Sequence, residues 1–389
     1  MSKKILFVCY GDSSSPKAWS NVPFLFSETL INQGFEILRL DISPNEKHEA
    51  LWNKYPGKIL SRFFPAQQYS FIKTPFSRRV SYKKIKEAIN SHPDLYFVIF
   101  LSFDFYNKFN KIPSLLLHDW SYDMIILDRL NRKPYFFEKW FIKYQNIAFN
   151  KSEIVISLFR DAKKVITERH GKQVCHLDSN VVNDINFAKP TPQEILNKKY
   201  KSHELLLIGS TKYLLGARKL VQAFRILQEE FPELILNFIN LPKDRLLLEE
   251  KDRNINCHDY LDKGIPEENT KYYELLTNAK ILVNPSEIWA AYSSTIECMF
   301  YYTPIIIKPY EAFALDYGKE NDFGAYLENT DVPTIVDSIR KILRMDVESY
   351  TKLCMRAHEL VKDQTWENYT KKVIDLMADV SNRNRKLNG

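Results

Sequence analysis

A chain of 389 residues exceeds what one ordinary core organises and suits two domains. Hydrophobic residues at 45% and charged residues at 26% are the proportions of a soluble globular protein, and no stretch approaches the roughly 18 apolar residues that span a membrane. The net charge of +7 is unevenly shared, +10 over residues 1–190 and −3 over the rest, so the two halves face different partners.

The run "KILFVCY" (4–10) has the continuous apolar character of a strand covered on both faces. A polar loop, "GDSSSPKAWSN", leads to "VPFLFSETLINQG", whose helical spacing stops at Gly34, and then to a second strand, "FEILRLDI". A strand, a helix and a strand in that order open a doubly wound parallel sheet. The start, "MSKKILFVCYGD", has neither the apolar h-region nor the cleavage site of a signal peptide. Five widely spaced cysteines (Cys9, Cys175, Cys257, Cys298 and Cys354) include no pair at metal-ligand spacing. Reduced thiols and a cytoplasmic location are expected.

Residues 45–90 read as irregular, aromatic and basic. Beyond them, "YFVIFLSF" (96–103) and "PSLLLHDW" (113–120) are strands, "FFEKWFIKYQNIAFNKS" (136–152) a helix, "EIVISLF" a strand and "RDAKKVITERHG" a short helix. The polar, proline-containing "KPTPQEILNKKYKSHE" (189–204) reads as a linker. Strand-helix alternation then restarts with "LLLIGS", "ARKLVQAFRILQEEFP" and "LILNFIN", and continues through "KILVNPS", "STIECMFYYT" and "PIIIKP" to a helical tail over 331–389.

Several stretches resemble one family in the order of their landmarks. "LLLIGSTKYLLGARKLVQAF" is similar to its strand, glycine loop and helix. "YYELLTNAKILVNPS" is similar to its helix-strand-Pro-Ser run, and "STIECMFYYTPIIIK" to its Glu-containing helix followed by x-Pro. "DQTWENYTKKVIDLM" is similar to its closing Trp helix, and "LLLHDW" to a strand ending in its His. The chain thus resembles a glycosyltransferase of the GT-B fold, most like glycosyltransferase family 4. The resemblance implies two Rossmann-like, doubly wound α/β domains facing a central cleft. An acceptor-side domain would span 1–188, a linker 189–204 and a nucleotide-sugar-binding domain 205–365; a closing helix, 366–389, would pack back on the first domain.

The resemblance also assigns candidate residues. The small and hydroxyl residues Ser293, Ser294 and Thr295 open a helix after a strand, where backbone N–H groups hold a diphosphate. Glu297 would bind ribose hydroxyls, although Ser294-x-x-Glu297 is equally the pattern of a capping box. The family's first Glu falls on Trp289, leaving Glu287 as substitute. Its Arg and Lys fall on Ser210 and Leu215, leaving Lys212 to neutralise a diphosphate. Gly11 stands where the family has a Gly-Gly pair. His118 would sit beside the donor sugar, and Asp12 is the alternative acid-base carboxylate, suited to an inverting enzyme. No metal or cofactor is expected: Cys175-His176 and Cys257-His258 lack further ligands at zinc spacing, and no strand ends in Asp-x-Asp.

Residues 51–90 hold nine cations, one acid (Glu87) and eight aromatics. Arg78, Arg79, Lys83 and Lys84 would attract an anionic membrane surface carrying a lipid-linked acceptor, with nucleic acid the lesser alternative. The expected function is metal-independent, retaining transfer of a sugar from a nucleotide-sugar donor to a glycan or glycoconjugate, in the cytoplasm or at the inner face of the membrane. The alternatives are a sugar-nucleotide epimerase of the same architecture, or a non-catalytic nucleotide- or glycan-binding relative.

Overall fold

The computed structural model of the protein describes residues 3–177, 180–250, 252–287 and 291–388. The chain divides into two compact units, residues 1–179 with 366–389, and residues 180–365. The first contains β1 (Lys4–Cys9), α1 (Val22–Asn32), β2 (Glu36–Asp41), α2 (Glu46–Lys54), α3 (Pro56–Phe63), α4 (Pro75–Ser91), β3 (Leu95–Phe100), β4 (Ser114–His118), the single turn α5 (Tyr122–Met124), α6 (Phe136–Lys151), β5 (Ile154–Ser157) and α7 (Arg160–His170). Its five strands are parallel in the order β2-β1-β3-β4-β5. Helices cover both faces, which is why Ile5–Cys9 and Phe97–Phe100 are buried without polar alternation. On one face, Leu6, Val98 and Leu116 pack with Ile85 and Ile89 of α4 and Phe149 of α6.

Residues 45–90, expected to be irregular, are mostly helical. Asn45 caps α2 by accepting from Lys47 N at 3.0 Å, and Thr74 caps α4 by accepting from Ser77 N at 3.2 Å. Proline begins α3 and α4, where the missing N–H costs nothing. The row Leu51, Tyr55, Ile59 and Phe63 recurs every fourth position but faces outward, while Trp52 and Leu60 pack inward, partly buried, against Tyr69, Tyr122, Ile126 and Phe141.

The second unit contains α8 (Pro192–Lys201), β6 (Glu204–Ile208), α9 (Leu214–Glu230), β7 (Ile235–Ile239), β8 (Ile255–His258), α10 (Pro266–Asn278), β9 (Ala279–Asn284), α11 (Ser293–Phe300), β10 (Ile305–Ile307), α12 (Glu311–Tyr317), β11 (Gly324–Tyr326), α13 (Val332–Leu343) and α14 (Val347–Glu359). Its strands are parallel in the order β11-β10-β9-β6-β7-β8. The last helix, α15 (Trp366–Asn388), belongs to the first unit, where Trp366 stacks on Phe26 of α1 with ring centres 5.4 Å apart.

The segment 189–204 is not a linker. It forms α8, started by a capping box in which Thr191 Oγ1 accepts from Glu194 N and the Glu194 carboxylate accepts from Thr191 N. Lys199 of α8 is completely buried in the second unit, and the division of the chain falls ahead of this helix, at 179/180. Among the described residues no helix is long and apolar enough to cross a membrane.

Candidate functional site

Each sheet has one point where neighbouring strands run to connections on opposite sides: between β1 and β3 in the first unit, and between β6 and β9 in the second. At such points the loops leaving the carboxyl ends of the strands diverge and leave a crevice for ligands. In the second unit the loops after β6 and β9 carry Gly209–Tyr213 and Ser286–Glu287, which places Lys212 and Glu287 at this point. Two glycines permit the close approach. A Cβ on Gly209 would lie 2.4 Å from the Tyr213 ring, and one on Gly216 would lie 2.5 Å from Ser286 Oγ and 2.9 Å from its backbone.

Lys212 is exposed and has no ion pair among the described residues. Glu287 is exposed, accepts from Thr330 Oγ1 at 2.5 Å and lies 3.5 Å from Lys219 Nζ. These two partners, Thr330 foremost, hold its carboxyl below the usual range. Lys219 is a cation that the motif comparison passed over; it lies three residues beyond Gly216, one helical turn along α9. Trp289, at the family's first Glu position, lies outside the described residues.

Helix α11 begins at Ser293, with Ser294 next and Thr295 buried. Asn180 Nδ2 donates to Ser293 Oγ at 3.3 Å. Glu297 does not cap the helix, and its carboxylate does not face solvent. The residue preceding the helix is Tyr292, and no side chain caps there. The Glu297 carboxylate is 3% exposed and fully engaged: Oε1 accepts from Lys263 Nζ at 2.5 Å and Tyr273 Oη at 3.1 Å, and Oε2 from Tyr272 Oη at 2.8 Å. Burial pushes its pKa up, against the pull of Lys263. The partners come from the loop before α10 and from α10 itself, more than twenty residues away in sequence, so the motif could not reveal them.

In the first unit, Gly11 follows β1 with φ of +88°, and a Cβ would lie 3.1 Å from that of Ala18. Its N–H is already used, by Asp41 Oδ1 at 2.9 Å and Ser43 Oγ at 2.8 Å. Asp12 is exposed and closes a local turn, accepting from Ser14 N at 2.8 Å and Ser14 Oγ at 2.7 Å. These hydrogen bonds lower its pKa, which weakens it as a base.

His118 ends β4 beside the loop that follows β1. Its ring stacks on the Trp19 indole, with centres 4.8 Å apart and an angle of 18°, and it also meets Phe103. His118 Nδ1 is buried without a hydrogen-bond partner. Trp19 Nε1 donates to Asp119 Oδ2 at 3.1 Å, and burial raises the Asp119 pKa. Trp19, Ser20 and Asn21 take φ of 38°, 52° and 70°, a run of three non-glycine residues in the left-handed region. Such strain persists only where surrounding contacts hold it, and it clusters at ligand sites. A lone tryptophan inside the polar loop "GDSSSPKAWSN" was the sequence signal for this contact.

The proposed basic patch is broken up. Arg78 is 4% exposed and lies among the rings of Tyr82, Phe105, Phe141 and Tyr144. Lys84 Nζ donates to Asp41 O at 3.3 Å and Ser43 O at 3.2 Å. Arg79 and Lys83 remain exposed, Lys83 lying 3.9 Å from Glu87. Helix periodicity explains the split, since Arg78, Tyr82 and Ile85 share the inward face of α4.

No family model and no curated protein sequence matches the chain. Solved structures do. A glycosyltransferase from Rickettsia africae superposes with a TM-score of 0.64 at 15% identity, over 97% of this chain and 98% of that one. WaaG, a glycosyltransferase involved in lipopolysaccharide biosynthesis, gives 0.62 at 15% identity, over 96% and 99%. Anabaena HepE, solved with UDP and glucose, gives 0.62 at 11% identity, over 97% and 100%. Over nearly its whole length the chain therefore has the fold of these proteins, the GT-B fold of two Rossmann-like parallel sheets.

Proposed function

We propose that the protein is a nucleotide-sugar-dependent glycosyltransferase acting on a glycan or glycoconjugate acceptor. The observation that carries this reading is the likeness of fold along almost the whole chain to two glycosyltransferases and to a protein solved with UDP and glucose. The nucleotide-sugar belongs to the second unit. Lys212 and the N–H groups at the start of α11 neutralise the diphosphate as the sugar leaves, in the role usually given to preorganised electrostatic stabilisation. Glu287, ionised and exposed beside Lys219, replaces Glu297 as the carboxylate for ribose. His118, half-buried on its Trp19 platform, serves the transferred sugar with the accessible part of its ring.

We propose retention at the anomeric carbon, in keeping with the engagement of Asp12, the candidate inverting base, by Ser14. Cationic side chains and helix N–H groups do the work of a metal. His118→Ala is expected to lower kcat about 100-fold while nucleotide affinity stays within about twofold. Equal loss of both would make His118 a structural residue. Activity in EDTA is expected to match activity without it; abolition, with rescue by manganese, would count against the mechanism. The anomeric proton coupling of the product, read by NMR, decides retention.

The membrane reading moves from the four cations to α2 and α3. Leu51, Tyr55, Ile59 and Phe63 are 53–71% exposed and succeed one another every fourth residue. Backbone bonds from Tyr55 N to Leu51 O and from Ile59 N to Tyr55 O carry the helical path through the junction. Lys54, Lys58 and Arg62 form a parallel exposed row one position earlier in each turn. An apolar ridge flanked by cations suits the headgroup region of an anionic bilayer. Leu51→Ser/Ile59→Ser/Phe63→Ser is expected to reduce co-sedimentation with anionic liposomes by about tenfold or more, given the usual value of a buried apolar side chain. Binding of the unsubstituted protein should weaken at high salt. Absence of binding at low salt, or binding untouched by the triple substitution, would remove this reading. Tight single-stranded DNA binding lost on Lys54→Gln/Lys58→Gln/Arg62→Gln would replace it with nucleic acid.

A further inference from the structure

A cavity of 530 Å³ opens in the first unit between α2–α3 and the segment 67–73; Trp52, Lys58, Ser61, Gln68, Tyr69 and Lys73 are among the residues lining it. That volume is in the usual range for small-ligand sites, about 300–1,000 Å³. An indole, hydroxyls, amides and two ammonium groups are the side chains that recognise a charged sugar. Lys58 is exposed, whereas Lys73 is sunk into the wall. The Lys73 ammonium lies 5.1 Å from the centre of the Tyr122 ring and 5.5 Å from that of Phe141.

No carboxylate pairs with Lys73 or Lys58 among the described residues. Asp104 reaches Lys73 only through its field, and Asp104 Oδ1 accepts from Gln145 Nε2 at 2.8 Å. The other nearby carboxylate, Glu138, accepts from Gln68 N at 2.9 Å and is matched by a two-pronged pair with Arg132. Phe141 also neighbours a second buried cation: the Arg78 guanidinium is 5.4 Å from that ring, and its Nη1 has no hydrogen-bond acceptor. The lining therefore carries two cations, Lys58 exposed and Lys73 largely buried, and no carboxylate. A buried cation without a counterion is unfavourable, so an entering anion gains what the fold leaves unmet.

We propose that this cavity is an acceptor subsite for an anionic sugar, a phosphorylated or carboxylated unit, with Lys73 and Lys58 on the anionic group and Trp52 against the sugar. It deepens, and rests on, the transferase reading above, and it lies beside the ridge of α2 and α3 assigned to the membrane.

The test is calorimetric titration of the full chain with glucose 6-phosphate, glucuronate, glucose, sn-glycerol 3-phosphate and inorganic phosphate. Glucose 6-phosphate and glucuronate are expected to bind about tenfold or more tighter than glucose, the scale of one charge-assisted hydrogen bond. Lys73→Gln and Lys58→Gln should each erase most of that preference and leave nucleotide-sugar affinity unchanged. Lys58 is exposed, so Lys58→Gln carries the test if Lys73→Gln does not fold. Anionic sugars that bind equally to the unsubstituted protein and to Lys58→Gln would overturn the proposal. Inorganic phosphate or glycerol 3-phosphate binding as tightly as glucose 6-phosphate would also overturn it, since the site would then read charge and not sugar. If no nucleotide-sugar binds while the anionic-sugar preference still responds to Lys58→Gln, the transferase reading fails and the sugar-acid site stands.

Discussion

Glu297→Gln is expected to destabilise the second unit by about 3–5 kcal/mol, the usual cost of removing one partner from a buried ion pair. The substitution leaves the Lys263 ammonium without its counterion, in a site where Lys263 is 8% exposed and its other acceptor is Asn183 O at 3.2 Å. Tyr272 and Tyr273 also lose a charged acceptor, and hydrogen bonds to charged groups are worth about 1.5–3 kcal/mol each. Adding Lys263→Met should recover more than half of the loss, because the uncompensated charge goes with it. Hydrogen exchange of β9 and α11, read beside the thermal melt, reports the second unit separately from the first. A Glu297→Gln protein that melts as the unsubstituted one does, but binds nucleotide-sugar more weakly, would return Glu297 to the ribose role.

The second large effect is expected at Lys199. Its Nζ donates to Leu276 O and Ala279 O, each at 2.9 Å, and to Thr303 Oγ1 at 2.7 Å, and the side chain is fully buried. Lys199→Met fills the space but leaves two carbonyls and a hydroxyl without their donor, for about 2–4 kcal/mol. Burial lowers the Lys199 pKa to about 8, from 10.5 in the unfolded chain. Between these values the unfolded chain binds the extra proton, so the contribution of Lys199 to stability rises with pH across that window. The difference between the unsubstituted protein and Lys199→Met, measured by denaturant unfolding, should widen from pH 7 to pH 10. A difference below about 1 kcal/mol at both pH values, the level of an ordinary surface change, would show that α8 is held by other contacts.

Much of the parallel framework is legible in the residues. The apolar runs at 4–10, 96–103, 204–208 and 279–284 become strands because a sheet covered on both faces leaves no room for alternation. Helix α8 was also legible in Thr191-x-x-Glu194, yet two prolines and a polar face made it read as a linker. Its one informative residue, Lys199, looks on sequence like any other surface lysine of the run "NKKYK". Helices α2 and α3 were lost for the opposite reason. Their regular apolar row, Leu51, Tyr55, Ile59 and Phe63, keeps helical spacing but points outward, and the inward side is held by the less regular pair Trp52 and Leu60.

The site divides in the same way. Local order along the chain places His118 at the end of a strand and Gly11, Lys212, Glu287 and the start of α11 after strands, because a parallel α/β chain presents the carboxyl ends of its strands to one side. The state of each side chain depends on partners far away in sequence. Glu297 is neutralised by Lys263, Arg78 is enclosed by rings from α4, α6 and the loop after β3, and His118 is covered by a tryptophan 99 residues before it. The alternation of strands and helices, and the loops that follow the strands, can be read from the residues alone, since both depend on neighbours close together in the chain. Which charges face solvent and which are consumed inside is settled on folding, because burial and pairing are set by neighbours that the chain brings together from a distance.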